Sequence, residues 1–359
     1  MVADVERLIS NIKNKQFSRR TFLGSAAALA VNGCSYAATS SSPPLPVQSI
    51  NHMTIGVSDP AASLAWYQGL FGLPVAARQG NTIVLQIGDG PQFMAIGGSP
   101  SDNPRITHLC LAVENFDDAR TVQILAEHGV AATTESGPMQ SRVRMRGEEF
   151  GGAASGTPEL YFGDRDGIVV QLQDTSYCGG AGLLGEDCLT IPEPAPSPGL
   201  LKLHEFNHFT LFVSDQARSM ALYQSLFGME VDTYQGALPV MRIGSGKQFL
   251  AMPAVPPLAG RIHHASLAVA DFDVNRIFSV LEGYGLTVLD GASAATEPLQ
   301  AYVTMRGSDR GGATEGTPEL YFTDPDGILI QLQDLSYCGG NGYLGDVCGT
   351  VENPTGRNN

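Results

Sequence analysis

The stretch Thr-Pro-Glu-Leu-Tyr-Phe stands at residues 157–162 and recurs unchanged at residues 317–322. Upstream, Asn-His-Met-Thr at residues 51–54 is matched by Asn-His-Phe-Thr at residues 207–210, a separation of 156 residues. The separation grows to 160 residues through a four-residue slip between residues 120 and 145, where a loop can absorb it. The chain is therefore an internal repeat of two copies.

Each copy divides again into two similar series of elements. In the first copy, helical apolar faces occupy residues 61–71 and 116–128. Strand-like runs occupy residues 50–57, 83–87, 92–96, 106–113, 141–146, 160–162 and 168–172. A strand, a helix and then several strands, four times along the chain, predict an α+β fold of four βαβββ modules in two tandem domains.

The repeat and the composition set the domain boundaries. We expect a first domain at residues 49–191, a Pro-rich linker at 192–203, a second domain at 204–350 and a tail at 351–359. The chain has 359 residues, of which 43% are hydrophobic and 16% are charged. This is the composition of a folded globular protein, and the length suits two domains.

The N-terminal segment differs from the rest of the chain. Arg19 and Arg20 precede an Ala-rich apolar run, which indicates a twin-arginine signal peptide at residues 1–37, followed by a linker at 38–48. An amphipathic helix with an incidental arginine pair is the alternative. A lipid anchor at Cys34 is a second processing route, although the residues before it fit the required pattern poorly. We expect a periplasmic or secreted protein without an integral membrane segment after processing.

Charge restricts the partners of the processed chain. The net charge is −15, and removal of residues 1–37, which carry five basic and two acidic residues, lowers it to −18. So acidic a protein is a poor partner for nucleic acid or an anionic membrane surface. The expected partner is a small-molecule substrate, and the sequence favours no particular oligomeric state.

Four cysteines are arranged in two matching pairs. Cys178 and Cys188 lie ten residues apart in the context Ser-Tyr-Cys-Gly-Gly, as do Cys338 and Cys348. Equal spacing in an oxidising compartment predicts one local disulfide per copy, with metal binding by these thiols as the alternative. Cys110 lies in an apolar run and is expected to be a buried free thiol.

Taken in order, several motifs resemble the vicinal oxygen chelate superfamily, which includes glyoxalase I, fosfomycin and bleomycin resistance proteins and extradiol dioxygenases. The motifs are Asn51-His52, Trp66-Tyr67 before Leu70-Phe71-Gly72-Leu73, His108, and Tyr321-Phe322-Thr323-Asp324-Pro325-Asp326-Gly327. The resemblance covers residues 49–175 and 205–335 and implies two tandem glyoxalase-like domains. Because this fold hosts several reactions, it does not define a single one.

The resemblance also implies a metal centre in each copy. In the superfamily, two ligands lie on the first strands of consecutive modules and a third, usually Glu, follows an Asp-Pro-x-Gly turn. The corresponding residues are His52, His108 and Gln171 in the first copy and His208, His264 and Gln331 in the second. Each His lies among apolar strand residues, where an imidazole needs a partner, and a divalent Fe, Mn, Zn or Ni ion suits such nitrogen ligands.

Glutamine at the third position departs from the superfamily pattern. A neutral amide oxygen is a weaker donor than a carboxylate, and iron-dependent oxygenases normally use the carboxylate. The alternative interpretation is that Gln171 and Gln331 form hydrogen bonds with the histidines and that no metal binds. His263, beside His264, is expected on the opposite face of its strand and not as a ligand.

Two further pairs are candidates for catalysis. Tyr161 and Tyr321 precede the glutamines by ten residues, which is the spacing of the active-site Tyr in extradiol dioxygenases; anchoring of a strand edge is the alternative. Glu159 and Glu319 lie two residues earlier, on the same strand face, where they can reach a metal, act as a base or face solvent. The acid/base His of extradiol enzymes has no counterpart in the second copy.

These features favour an exported metal-dependent enzyme acting on a small oxygen-rich substrate, most concretely an extradiol-type dioxygenase, an oxidoreductase. In the mechanism that the resemblance implies, the metal chelates two vicinal substrate oxygens. A glyoxalase-type lyase or isomerase is the alternative enzyme. A non-enzymatic periplasmic small-molecule-binding protein is the alternative from another class, and the missing carboxylate and acid/base His favour it.

Overall fold

The structure is a computed structural model that describes residues 42–135, 137–290 and 294–349. The expected signal peptide at 1–37 with Cys34, the first part of the linker at 38–48 and the tail at 351–359 lie outside the described residues. The described residues belong to one compact unit. Among the described residues, no helix is both long enough and apolar enough to cross a membrane.

The first half contributes strands β1–β9 and helices α1 and α2 in the described part of the chain. Their bounds are β1 Val47–Gly56, α1 Pro60–Phe71, β2 Val75–Gln79, β3 Thr82–Gln86, β4 Phe93–Ile96, β5 Arg105–Val113, α2 Asp118–Glu127, β6 Ala131–Ala132, β7 Gln140–Arg146, β8 Thr157–Gly163 and β9 Val169–Asp174.

The second half repeats this series. Its bounds are β10 Leu203–Phe212, α3 Gln216–Phe227, β11 Val231–Gln235, β12 Leu238–Arg242, β13 Phe249–Ala251, β14 Arg261–Val269, α4 Val274–Gly283, β15 Thr287–Val288, β16 Gln300–Arg306, β17 Thr317–Thr323 and β18 Leu329–Asp334. Short 3₁₀ helices lie at Glu148–Phe150, Pro256–Leu258 and Ser308–Arg310.

Each half forms one nine-stranded sheet. The strand order is β2-β3-β4-β1-β5-β9-β8-β7-β6 in the first half and β11-β12-β13-β10-β14-β18-β17-β16-β15 in the second. The two modules of a half meet where β1 pairs antiparallel with β5, and where β10 pairs with β14. The predicted α+β fold of four βαβββ modules in two tandem glyoxalase-like domains is therefore confirmed.

Helix α1 shows how the sequence sets element ends. Asp59 caps its N-terminus by accepting from the backbone amides of Ala61 and Ala62, and Pro60 stands in the first turn. Gly72 ends the helix at φ 65°, a left-handed conformation that glycine adopts without steric cost. The strands β2 and β11 were missed by the sequence analysis, because Val75–Gln79 has a weak strand pattern and is held chiefly by its pairing with β3.

One apolar core connects the two halves. It contains buried side chains of β1, β5, β10 and β14 together with those facing them from the helices. Helix α1 of the first half reaches the second-half sheet, where the ring of Phe71 lies 6.1 Å from that of Phe322. The Tyr67 hydroxyl donates to Asp324 at 2.9 Å, and Tyr223 of the second half donates to Asp164 at 3.3 Å.

Other bonds between the halves are exchanged in the same reciprocal way. The Ile50 amide donates to Gln248 Oε1 at 2.7 Å, and the Phe206 amide donates to Gln92 Oε1 at 2.8 Å. The Ser58 and Ser214 amides donate to Asp326 and Asp166, each at 3.1 Å. Each half thus gives the other the same contact that it receives.

Candidate functional site

The strand register brings the predicted metal ligands of each half onto one sheet face. In the first half, His52 lies opposite Cys110, which lies beside Gln171, and Gln171 lies opposite Tyr161. His108 lies two residues from Cys110 and therefore shares its face. The second half repeats this arrangement with His208, Ser266, Gln331, Tyr321 and His264.

The hydrogen bonds of Asn51 fix the proton positions on His52. Asn51 Nδ2 donates to the Tyr177 carbonyl at 2.7 Å, so its Oδ1 accepts from His52 Nδ1 at 2.7 Å. A neutral imidazole carries one N–H, so His52 Nε2 presents a lone pair. That lone pair lies 3.1 Å from Gln171 Oε1, which is also an acceptor.

His108 presents a second lone pair to the same place. Thr107 Oγ1 donates to the Thr54 carbonyl at 3.0 Å and accepts from His108 Nδ1 at 3.3 Å. His108 Nε2 is consequently an acceptor, and it is buried without a hydrogen-bond partner. The ring centroids of His52 and His108 lie 5.5 Å apart. The two imidazole rings thus lie beside the Gln171 side chain, whose Oε1 faces His52 Nε2 and whose Nε2 is buried without a hydrogen-bond partner.

The second half has the same residues in a different bonding pattern. Asn207 Oδ1 accepts from His208 Nδ1 at 2.8 Å, which leaves His208 Nε2 as an acceptor. His264 Nε2 lies 3.3 Å from it and must therefore donate. Gln331 interacts with both rings, and its Oε1 has no hydrogen-bond partner.

His263 was expected on the opposite strand face and not as a ligand. Its ring stacks on Phe212 with centroids 4.2 Å apart, away from the ligand cluster. It nevertheless influences the site, because its Nδ1 lies 2.8 Å from His264 Nδ1 and donates to it. Two hydrogen bonds thus fix the tautomer of His264: its Nε2 donates to His208, and its Nδ1 accepts from His263.

Burial keeps the site histidines neutral. It lowers the pKa of His52 and His264 well below the ordinary value and that of His208 to about 3. The pKa of His108 is lowered to about 4, chiefly by burial, with the nearby guanidinium groups of Arg144 and Arg142 acting in the same direction. Neutral imidazole is the form that binds a metal.

Aromatic rings enclose the histidines. His52 stacks on Phe93 with centroids 4.2 Å apart and lies beside Tyr177, and only 2% of its surface is exposed. His208 makes the same contacts with Phe249 and Tyr337. The sequence analysis did not predict that these aromatic rings enclose the histidines. The Ser-Tyr-Cys context, repeated in both copies, was the available signal for Tyr177 and Tyr337.

The predicted disulfides fix the segments that carry these tyrosines. Cys178 is bonded to Cys188 and Cys338 to Cys348, with Cα separations of 6.1 and 6.2 Å. Cys110 is a buried free thiol, as predicted, and burial raises its pKa well above the ordinary value.

The two tyrosines predicted as catalytic lie against the histidines. The Tyr161 ring meets His108 edge-on at 5.4 Å, and the Tyr321 ring meets His264 at 5.3 Å. The Tyr161 hydroxyl donates to Glu159 Oε2 at 3.2 Å. Burial and the carboxylate raise its pKa well above the ordinary value, so Tyr161 can donate a hydrogen bond but does not act as a base at neutral pH.

The two glutamates have partners that the sequence analysis did not foresee. Glu159 is buried and accepts from Arg146 Nε at 2.7 Å and from the Tyr177 hydroxyl at 3.1 Å. Glu319 accepts equivalent bonds from Arg306 and Tyr337. Glu159 is buried and Glu319 is 13% exposed, and both carboxylates form ion pairs and bind the hydroxyl groups of Tyr177 and Tyr337. Their role as a base stays a prediction.

The third ligand position distinguishes this chain from a carboxylate-containing metal centre. Among the described residues, no group of three or more His, Cys, Asp or Glu side chains is arranged to hold a metal ion. Any ion at either site would therefore depend on the glutamine oxygen as well as the two imidazoles.

A cavity of about 680 Å³ lies elsewhere, between the halves. Arg105, Arg261 and His263 are among its lining residues, and none of the predicted ligands is. It marks the junction of the two sheets, and the candidate metal ligands lie outside it.

The comparisons with known proteins agree with this architecture. The sequence profile of the Glyoxalase/Bleomycin resistance protein/Dioxygenase superfamily matches residues 49–172 and 205–332. No curated protein matches the chain.

Solved structures similar to the chain include glyoxalases and dioxygenases. The Mn(II)-bound glyoxalase from Novosphingobium aromaticivorans is 15% identical, with 80% of this chain and 82% of that chain covered and a TM-score of 0.52. The 2,3-dioxygenase LapB from Pseudomonas sp. KL28 is 15% identical over 80% and 92%, with a TM-score of 0.55. Homoprotocatechuate 2,3-dioxygenase from Arthrobacter globiformis is 18% identical over 82% of each chain, with a TM-score of 0.52. At these identities the likeness concerns the fold.

Proposed function

Because the chain belongs to the Glyoxalase/Bleomycin resistance protein/Dioxygenase superfamily, we propose that it is a metal-dependent enzyme acting on a small molecule with two adjacent oxygens. One observation carries the proposal: His52 Nε2 presents its lone pair to Gln171 Oε1 at 3.1 Å, and the lone pair of His108 Nε2 is buried without a hydrogen-bond partner. Buried acceptors that face each other are costly unless a cation or a proton lies among them.

The donor set fits a divalent ion of the borderline class. Two neutral imidazoles suit Fe, Mn, Zn or Ni, and the amide oxygen completes a three-ligand set that leaves positions for a substrate. Bound there, such an ion would act as a Lewis acid on two adjacent substrate oxygens. In the second half, His208, His264 and Gln331 would hold it only after the proton on His264 Nε2 moves away. We therefore propose the first half as the site already arranged for metal.

The protein's own residues position the reacting molecule. Asn51 holds the His52 ring in one tautomer, while Phe93 and Tyr177 exclude water around it. Tyr161 stays protonated and lies beside His108, where its hydroxyl donates to Glu159 and its oxygen can accept a hydrogen bond from a substrate hydroxyl. Extradiol-type dioxygenation of a diol is the most concrete form of the proposal, supported by this Tyr and by the two-domain layout shared with the dioxygenases.

Two alternatives keep specific support. Glutamine in place of a carboxylate favours Lewis-acid chemistry of the glyoxalase type, because iron-dependent oxygenases normally use the carboxylate. The mutual hydrogen bond of His208 and His264 favours a non-enzymatic small-molecule-binding protein, because those rings are satisfied without a metal.

Metal analysis of the purified processed chain tests the proposal. We expect about one equivalent of a divalent metal in the wild type, its loss in His52→Ala, and its retention in the control His204→Ala. His204 lies on β10 outside the ligand cluster and makes the control a matched histidine removal. Consumption of oxygen with a catechol separates the dioxygenase from the lyase. Metal-free wild type that still binds a diol would favour the binding protein.

We further propose that the chain is exported through the twin-arginine pathway. Two disulfides support this, since such bonds persist in oxidising compartments. Replacing Arg19 and Arg20 by Lys should retain the precursor in the cytoplasm. Processing and export of that variant at the wild-type rate would contradict the proposal.

A further inference from the structure

The two halves differ at the edge of the candidate site. On β7, Arg142 and Arg144 occupy the positions that Tyr302 and Thr304 occupy on β16. The Arg142 guanidinium lies over the Tyr161 ring, 5.4 Å from its centroid. Arg144 Nε lies 3.1 Å from Glu159 Oε2, and half of the Arg144 side chain is exposed. Both arginines therefore lie on the face of β7 that they share with Tyr161 and Glu159 of the candidate site.

The charges on the two strand pairs are different as a result. In the first half, β7 carries the guanidinium groups of Arg142, Arg144 and Arg146, and β8 carries the single carboxylate of Glu159, which leaves an excess of two positive charges. In the second half, one guanidinium and one carboxylate balance each other at Arg306 and Glu319. An excess of positive charge is unusual in a chain whose net charge is −15.

The first half also has a buried, unpaired hydrogen-bond donor that the second half lacks at the corresponding position. Arg142 Nε is buried and has no hydrogen-bond partner. A buried guanidinium N–H left without an acceptor is costly, so an oxygen atom from a ligand is the expected partner. In the second half, Tyr302 stacks on Tyr321 at 5.0 Å, and Thr304 donates to Glu319 at 3.4 Å. Thr304 thus has its acceptor within the protein, and the Tyr302 ring packs on Tyr321.

We infer that the first-half site takes a substrate that carries a carboxylate, which Arg142 and Arg144 bind while its adjacent oxygens face His52 and His108. Guanidinium groups bind carboxylates through paired, charge-assisted hydrogen bonds. The second-half site offers no such groups. This inference rests on the proposed function, because it assigns a substrate class to the same site.

Two ligands that differ only in charge test the inference. The dissociation constants of 3,4-dihydroxybenzoate and 3,4-dihydroxybenzamide are measured by calorimetry on the full processed chain, with its metal and again with a chelator. We expect the carboxylate to bind about tenfold or more tightly than the amide, since charged hydrogen bonds are the stronger ones.

The second half supplies the matched variant. Arg142→Tyr with Arg144→Thr places on β7 the residues that β16 already accommodates, so the fold should tolerate them. In that variant, the ratio of the dissociation constant of the amide to that of the carboxylate should fall to about one. The wild-type ratio should persist in Arg218→Gln with Arg276→Gln, which removes the same charge from helices α3 and α4. Equal binding of the two ligands by the wild type, binding of neither, or a preference that survives the β7 exchange would overturn the inference.

Metal content measured on the same samples separates the two proposals. Absence of metal from the wild type would contradict the proposed function. In the chelator-treated samples, tighter binding of the carboxylate than of the amide would still test the role of Arg142 and Arg144, because no metal contributes to binding there.

Discussion

Gln171 and Gln331 decide how strongly either site can hold a metal. Replacing Gln171 by Glu adds a negative charge beside two neutral imidazoles in a poorly solvated place. We expect divalent metal affinity to rise by about tenfold or more, because a carboxylate attracts the ion through its charge. Gln331→Glu should act in the same direction in the second half, and His264→Ala introduced beside it should remove the metal binding gained there. Metal titration with a competing chelator measures each affinity.

A metal-free role for the glutamines gives a different outcome. Glutamate would then be a buried charge whose pKa rises or which favours a protonated neighbouring His, so the folded state would lose stability at neutral pH. Gln171→Met, which removes the oxygen while keeping an apolar side chain of similar length, is the control. Unchanged metal affinity in both Gln171 variants would exclude the amide as a ligand.

Acid should destabilise the protein through its buried histidines. The folded-state pKa values of His208 and His108, about 3 and about 4, lie below the ordinary value near 6.5. Between those limits the unfolded chain binds protons that the folded chain does not. Stability is therefore fully present above pH 6.5 and is lost as the pH falls, by up to about 1.4 kcal/mol per pH unit for each such ring.

Two buried carboxyl groups oppose this trend. Burial raises the pKa of Asp164 and Asp324 to about 6, so the folded chain retains their protons and their contribution is lost as the pH rises through that value. Five rings have lowered pKa values against these two groups, so acid destabilisation should prevail. Denaturant unfolding in the presence of a chelator measures the free energy of unfolding at pH 7 and at pH 5. His208→Asn should make that free energy less dependent on pH. Greater stability at pH 5 would contradict the expected acid destabilisation.

At the scale of elements, the disulfide-bonded segments act as covers over the two sites. The Tyr337 carbonyl holds Asn207, and Asn207 orients His208. Cys338→Ser with Cys348→Ser should lower the free energy of unfolding by about 2–3 kcal/mol, because a short loop is no longer closed in the unfolded chain. Cys178→Ser with Cys188→Ser is the matched variant and should cost a similar amount.

Reductant provides an independent check of those covers. It should lower the unfolding midpoint of the wild type and have a smaller effect on each paired Ser variant. A wild-type midpoint that does not respond to complete reduction would show that the disulfides add no stability.

Strand periodicity explains how much of the site was predictable. The ligands His52 and His108 were found because they lie on consecutive strands with apolar neighbours, and the duplication identified their counterparts. The tautomer of His52 was not predictable, because it depends on the Tyr177 carbonyl, which is remote in sequence. The ion pair of Arg146 with Glu159 was missed for a similar reason: it forms across two strands joined by a loop.

At the scale of the whole molecule, the two halves share one apolar core and exchange hydrogen bonds, so we do not expect either half to be a stable monomer alone. We expect residues 42–198 expressed alone to form a homodimer, because this segment contains both members of each exchanged bond. Tyr67 of one copy can donate to Asp164 of another, and the Ser58 amide to Asp166. Analytical ultracentrifugation measures the state, and Tyr67→Phe should weaken association. A stable folded monomer at micromolar concentration would contradict the expectation.

These reciprocal bonds also bear on how the chain could have arisen. A protein of one repeat that paired through this surface would have held two identical sites, and any substitution would have altered both at once. Joining the repeats in one polypeptide removes that restriction. One copy can then acquire Arg142 and Arg144 while the other keeps Tyr302 and Thr304. Covalent fusion thus permits two specialised sites on a scaffold that symmetry alone would have kept uniform.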